Sequence, residues 1–192
     1  MTLAVATTGG DRLRISRIAA AVIALGGVAL LLTEGHMRAL EANVAAIALR
    51  LTAVTHARPT GSTVAFVQGH HWVGYSIAAG CTAALLIAPF FFISAGLLLS
   101  RRVSIRRGLF ALIVTSVLVW IVNQLRLLLI GESMRIWGSR TGYDRSHVLA
   151  GGVLSTFGVA VGVAIFVGLM VRDRPRPGAG GTHHRTDTAV TE

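Results

Sequence analysis

Apolar residues in this chain gather into four runs separated by polar stretches. Residues 18–33 carry no charge between Arg17 and Glu34, and residues 77–99 lie inside a charge-free stretch bounded by Arg58 and Arg101. Residues 108–130 are interrupted only by Arg126, and residues 147–171 stay apolar after His147. A helix crosses the hydrocarbon core of a bilayer with roughly 17–25 apolar residues. The pattern predicts an all-α polytopic membrane protein with four transmembrane helices. Between the first two runs, Leu40, Val44, Ile47, Ala48, Leu51 and Val54 recur at helical spacing, with Arg38, Glu41 and Arg50 off that stripe. This predicts an amphipathic helix over 38–56, lying on the outer leaflet or on the bundle. Pro59, Gly61 and Ser62 end it, residues 63–67 are β-rich, and 68–72 lead toward the second span. The expected organisation is a basic N-terminal segment 1–17, a membrane domain 18–171 and a disordered tail 172–192, polar from Pro175 on.

Charge adds an orientation. The 192 residues include 18 Arg, no Lys and eight acidic groups, for a net charge of +10. Charged residues make up 14 %, against about 25 % in ordinary soluble domains. The Arg residues sit at the ends of apolar runs, which argues for a membrane partner and against nucleic acid. Eleven fall in 1–17, 100–107 and 172–192, and six in the longer segments 33–76 and 131–146. The positive-inside rule then predicts a multi-pass plasma-membrane protein with both termini in the cytoplasm. The basic start could suggest a signal peptide. However, Leu30-Leu31-Leu32-Thr33-Glu34 offers no small-x-small cleavage site, so an uncleaved anchor is expected.

Cys81 is the single cysteine, which excludes an intrachain disulfide, a C-x-x-C redox pair and a Cys-based zinc site. His70 and His71 would point to opposite faces of a strand, and His183-His184 falls in the tail. No metal and no cofactor are expected.

The predicted topology sets three reactive side chains at one membrane depth. Cys81 falls near the outer start of the second span, Arg126 about a turn from the outer end of the third, and His147 at the outer start of the fourth. Each has an ordinary reading. A buried Cys is usually an inert small hydrophobe, an Arg near a helix end can snorkel, and a His at a helix start can simply be wet. Yet an Arg inside a span costs about 2.5–3.5 kcal/mol on insertion scales, so it calls for a partner or a task. Asn123 lies three residues before Arg126 on the same helical face. The three types together suit acyl transfer. A thiolate attacks, a histidine moves the proton as base or acid, and a guanidinium meets the oxyanion. Asp144 could orient His147. His70, His71 and Trp72 are expected at a substrate-facing rim or interfacial belt.

Gly80-Cys81-Thr82-Ala83 at the start of one span, Asn123-Gln124-Leu125-Arg126 at the end of the next and His147 opening the one after resemble the exosortase/archaeosortase family over about residues 64–160. That family comprises multi-pass cysteine protease/transpeptidase-like enzymes with an ordered Cys, Arg, His (or Arg) set. The resemblance implies Cys81 as nucleophile, Arg126 as transition-state stabiliser and His147 as general base or acid; Asn123, Trp72 and His71 are expected toward the substrate from their own positions. It also implies a partner: precursor proteins whose C-terminal sorting signal joins a short motif, a membrane helix and an Arg-rich end. Two features depart from the family. Thr82-Ala83 stands where Ser-Gly is common, and four spans replace about eight.

Two other classes compete. Type-2 phosphatidic acid phosphatases use S-R-x5-H. Here six residues separate Arg140 from His147, Gly151 occupies the expected carboxylate position, and the companion motifs are missing. A non-catalytic bundle that binds or chaperones another membrane protein would use Gly74, Gly80, Gly151 and Gly152 for close packing and Arg126 as a helix contact. Such a module keeps its function in Cys81→Ser and Cys81→Ala; an enzyme loses it in both.

Overall fold

The computed structural model describes residues 9–171 apart from 53, 55, 101, 102 and 148–150. The expected tail 172–192 and the first eight residues of the basic N-terminal segment lie outside the described residues. The chain is mostly helical. In order it forms α1 (Gly9–Leu32), α2 (Glu34–Leu51), β1 (Arg58–Thr60), β2 (Thr63–Gln68), β3 (His71–Ser76), a 3-10 turn (Ala79–Cys81), α3 (Ala83–Leu99), α4 (Ile105–Trp137), α5 (Ser139–Arg145) and α6 (Gly151–Val171).

Three helices are long and apolar enough to cross a membrane: Leu13–Leu32 of α1, α4 and α6. The run 77–99 gives a shorter helix, the 17 residues of α3. Its first residues are diverted. Ile77 still pairs with the sheet, donating to the Ser62 carbonyl (2.8 Å), and Ala79–Cys81 winds as a 3-10 turn. Thr82 then caps α3, its hydroxyl accepting from the Ala84 amide (3.3 Å). The fourth run gives α6, Gly151–Val171, and residues 148–150 between His147 and it lie outside the described residues.

Two cores divide the molecule. In one, α1 packs along α3 and α4 along α6, burying Ile23, Phe90, Leu98, Val119 and Phe166. In the other, α2, the sheet and the C-terminal part of α4 bury Leu49, Phe66, Tyr75, Leu127 and Met134. The sheet is antiparallel in the order β1-β2-β3, with Thr60 opposite Thr63 and Gln68 opposite His71. Its two tight turns use left-handed Gly61 (φ 57°) and Gly69 (φ 63°). This sheet extends the β-rich stretch expected at 63–67. It also places His70 in the turn, leaving only His71 in a strand.

α2 departs from the expected helix 38–56 in bounds and in face. It starts at Glu34, ends at Leu51, and buries Glu41, Ala42, Ala45, Ala46 and Leu49. Leu40, Ile47 and Leu51 of the expected stripe are 51 %, 54 % and 84 % exposed. Small residues face the protein because α2 lies close against α4. The Leu49 side chain fills the space a Cβ on Gly131 would need, at 2.8 Å.

Candidate active site

Cys81 ends the 3-10 turn, its amide donating to the Ala78 carbonyl (2.9 Å). Its side chain is half-buried at the edge of the core formed by α2, the sheet and α4. Arg126 comes to it from α4. The guanidinium Nη2 donates to Cys81 Sγ at 3.4 Å, across 45 residues of sequence. Arg126 is only 8 % exposed, and its Nε has no hydrogen-bond partner. That Nε is a buried donor left without an acceptor.

Glu41, missed by the sequence reading as a site residue, ties together the segments that carry Cys81 and Arg126. Its side chain is fully buried between α2, α3 and α4. Oε1 accepts from the Ala83 amide at 2.8 Å, two residues after Cys81. The same oxygen accepts from Asn123 Nδ2 at 3.2 Å, one helical turn before Arg126. Burial raises the Glu41 carboxyl above the ordinary value, against the lowering pull of the Ala83, Thr82 and Asn123 hydrogen bonds and of Arg38. The usable signal in the sequence is its company. Glu41 shares a helical face with Ala45 and Ala42, small residues that suit close packing rather than water.

Asn123, expected toward the substrate, is 2 % exposed and committed to Glu41 through its amide nitrogen. Its role in this arrangement is internal. Next to Arg126, the Leu127 carbonyl accepts from the Tyr75 hydroxyl (2.8 Å), which fixes β3 to α4.

His147 lies in a π-helical turn that continues directly from α5. Its ring stacks on Tyr143, with centroids 5.1 Å apart and planes 14° from parallel. Neighbouring Ser146 donates to the Gly142 carbonyl (2.6 Å). A Cβ on Gly151 would meet Arg126 Nε at 3.0 Å and the Ser146 carbonyl at 3.4 Å. The turn bearing His147 and the guanidinium of Arg126 therefore flank the same glycine. The structure brings Cys81 and Arg126 into direct contact; no hydrogen bond joins His147 to either. Asp144 is exposed and has no hydrogen bond to His147. His71 and Trp72 are exposed on β3, with the Arg58 guanidinium 5.8 Å from the Trp72 ring centroid. Of the four glycines considered for close packing, Gly74 and Gly151 are in tight contact within the chain, whereas a Cβ on Gly80 or Gly152 would meet open space. Among the described residues no group of three His, Cys, Asp or Glu side chains gathers.

Compared with protein-family models, with curated proteins and with solved structures, the chain finds no match.

Proposed function

We propose that this chain is a membrane-embedded cysteine peptidase or transpeptidase that processes C-terminal sorting signals of membrane-anchored precursors at the outer face of the plasma membrane. The observation that carries the reading is the hydrogen bond from Arg126 Nη2 to Cys81 Sγ. A thiol beside a buried, permanently charged guanidinium combines a nucleophile with the group best suited to its oxyanion. In this reading α3 and the turn before it make the second of four spans, and both termini face the cytoplasm.

The cycle begins with docking of the substrate's helix against the bundle. His147 takes the Cys81 thiol proton, the thiolate attacks the scissile carbonyl carbon, and the new oxyanion takes the Arg126 donors. Collapse breaks the C–N bond. His147, swung from Tyr143, supplies the proton to the departing amine, leaving a thioester on Cys81. An amine acceptor or water then displaces Cys81, giving transpeptidation or hydrolysis.

The test is processing in cells whose own chain is replaced by variants. Host membrane proteins ending in an apolar helix and an Arg-rich tail should lose their C-terminal peptide with the wild-type chain. They should keep it with Cys81→Ala and with Arg126→Lys, which lacks the planar fork. A loss of at least about a hundredfold is expected for each, the scale of a missing oxyanion donor. Unchanged processing in Cys81→Ala would overturn the enzyme and leave a bundle that binds or chaperones another membrane protein.

A further inference from the structure

The sheet ends in an edge whose backbone is prepared for another strand. Ile77 donates to Ser62 in the register that continues as Val64–Tyr75, Phe66–Val73 and Gln68–His71. Ladder bonds alternate along an antiparallel pair, so these pairs carry them. Trp72, Gly74 and Ser76 then direct their amide and carbonyl groups away from β2. All three residues are exposed, and β3 has no further strand beside it among the described residues. Opposite β1 shows the usual blunting of an edge: Pro59 sits where its missing N–H faces away from β2. β3 carries no Pro or charged residue that would blunt its edge, and α5 flanks it across an open space.

The space beside that edge is a built slot. An open pocket of 420 Å³ lies between Val73–Ser76 on one side and Met134, Ser139, Arg140, Tyr143 and Asp144 on the other. Its volume is within the roughly 300–1,000 Å³ of ligand sites. The sheet that forms the first wall is fixed to α4. Tyr75 is bonded to the Leu127 carbonyl, and Gln68 Nε2 donates to the Met134 carbonyl (2.8 Å). The slot also touches the candidate chemistry at two points. Tyr143, in its wall, carries the stacked His147 ring, and the chain leaving Ser76 reaches Cys81 through two extended residues and one 3-10 turn.

We infer that the free edge of β3 binds an extended segment of the substrate polypeptide as a fourth strand, and that this pairing delivers the scissile bond to Cys81. The inference rests on the peptidase reading above. Alternating amide and carbonyl groups at Trp72, Gly74 and Ser76 match the backbone of an extended peptide and no other common ligand. The slot takes its alternate side chains, which is how strand addition combines affinity with selectivity. The segment must lie just outside the substrate's membrane helix, because β3 leads into the turn that bears Cys81.

The test uses the full-length chain in host membranes, with the same C-terminal peptide readout. Ser76→Pro removes one edge donor and leaves the β2 ladder intact. Processing is expected to fall about tenfold, the scale of one hydrogen bond. Iodoacetamide labelling of Cys81, the single thiol, checks that the site is still formed. In a second arm, p-benzoylphenylalanine at position 72 in Cys81→Ala should photo-crosslink to the segment preceding the helix of a retained precursor. Wild-type processing by Ser76→Pro, or adducts confined to the helix itself, would overturn strand addition while leaving the peptidase standing. If Ser76→Pro disturbs Cys81 labelling, the crosslinking arm decides alone. If wild type and Cys81→Ala process alike, the peptidase reading falls and strand addition falls with it.

Discussion

A carboxylate with no exposed surface sits between the turn that ends at Cys81 and the helix that carries Arg126. Removing it would strand the Ala83 amide and the Asn123 amide in a dry interior, at a cost of about 1–3 kcal/mol for each unsatisfied group. Keeping it has a pH-dependent cost. The folded-state pKa of Glu41 is raised above its ordinary value by burial. Over the interval between the unfolded and folded values the native state holds more protons, so stability falls as pH rises through it. Below pH 4.5 both states are protonated and the penalty vanishes. Glu41→Gln keeps an acceptor for Ala83 and removes the titration. Its thermal stability relative to wild type should therefore increase as pH climbs above 4.5, and differential scanning in detergent measures this. Parallel pH profiles for the two proteins would show that Glu41 does not titrate against burial. At this scale the sequence made Cys81 and Arg126 legible, because helix direction alone puts them at one depth. Glu41 was hidden because a charged residue on an apolar helix is normally assigned to the wet side.

The same assumption misplaced the face of α2. Large apolar residues define a stripe by hydropathy, but a helix that must approach another closely buries small ones. Ala42, Ala45 and Ala46 are fully buried, while Leu40 and Ile47 face outward. In a membrane setting outward apolar residues can contact lipid, so hydropathy no longer tells inside from outside. The contact itself is between Leu49 on α2 and Gly131 on α4. Gly131→Ala would put a methyl group 2.8 Å from the Leu49 side chain, which is itself fully buried. An overpacking loss of about 1–3 kcal/mol is expected, read as a lower melting temperature. Leu49→Ala in the same chain should restore part of it, because the two residues share one volume. Additive losses in the double variant would mean that α2 does not seat on α4 through this pair. The apolar runs did locate α1, α4 and α6. They overstated α3 because residues 77–82 obey the sheet and the turn, which run-length cannot register. The hairpin ends were readable only in part, from Pro59, Gly61 and the β-rich stretch after them.

The length of α4 sets the geometry of the whole molecule. Its 33 residues span about 50 Å at 1.5 Å per residue, well beyond a hydrocarbon core of about 30 Å. Arg106 and Arg107 stand in its first turn, and Gly108 follows them. Arg126 lies 18 residues beyond Gly108, or about 27 Å along the axis. If the Arg pair marks one headgroup layer, Arg126 reaches the opposite boundary, and the last turns of α4 protrude with α2 and the sheet packed around them. In the orientation proposed from the positive-inside rule, the Arg106–Arg107 end lies in the cytoplasm. Cys81, in contact with Arg126, then belongs to the outer boundary. This can be measured directly, since the chain has a single thiol. The membrane-impermeant anion 2-sulfonatoethyl methanethiosulfonate should label Cys81 in right-side-out vesicles and spare it in inverted ones. A cysteine at the exposed Ser104 position, introduced into Cys81→Ala, should show the opposite pattern, because Ser104 caps the start of α4, the cytoplasmic end in the proposed orientation. The reverse pair of results would invert the molecule and put the Cys81–Arg126 pair on the cytoplasmic side. No segment anchored outside the cell could then reach β3, and processing at the outer face would have no site.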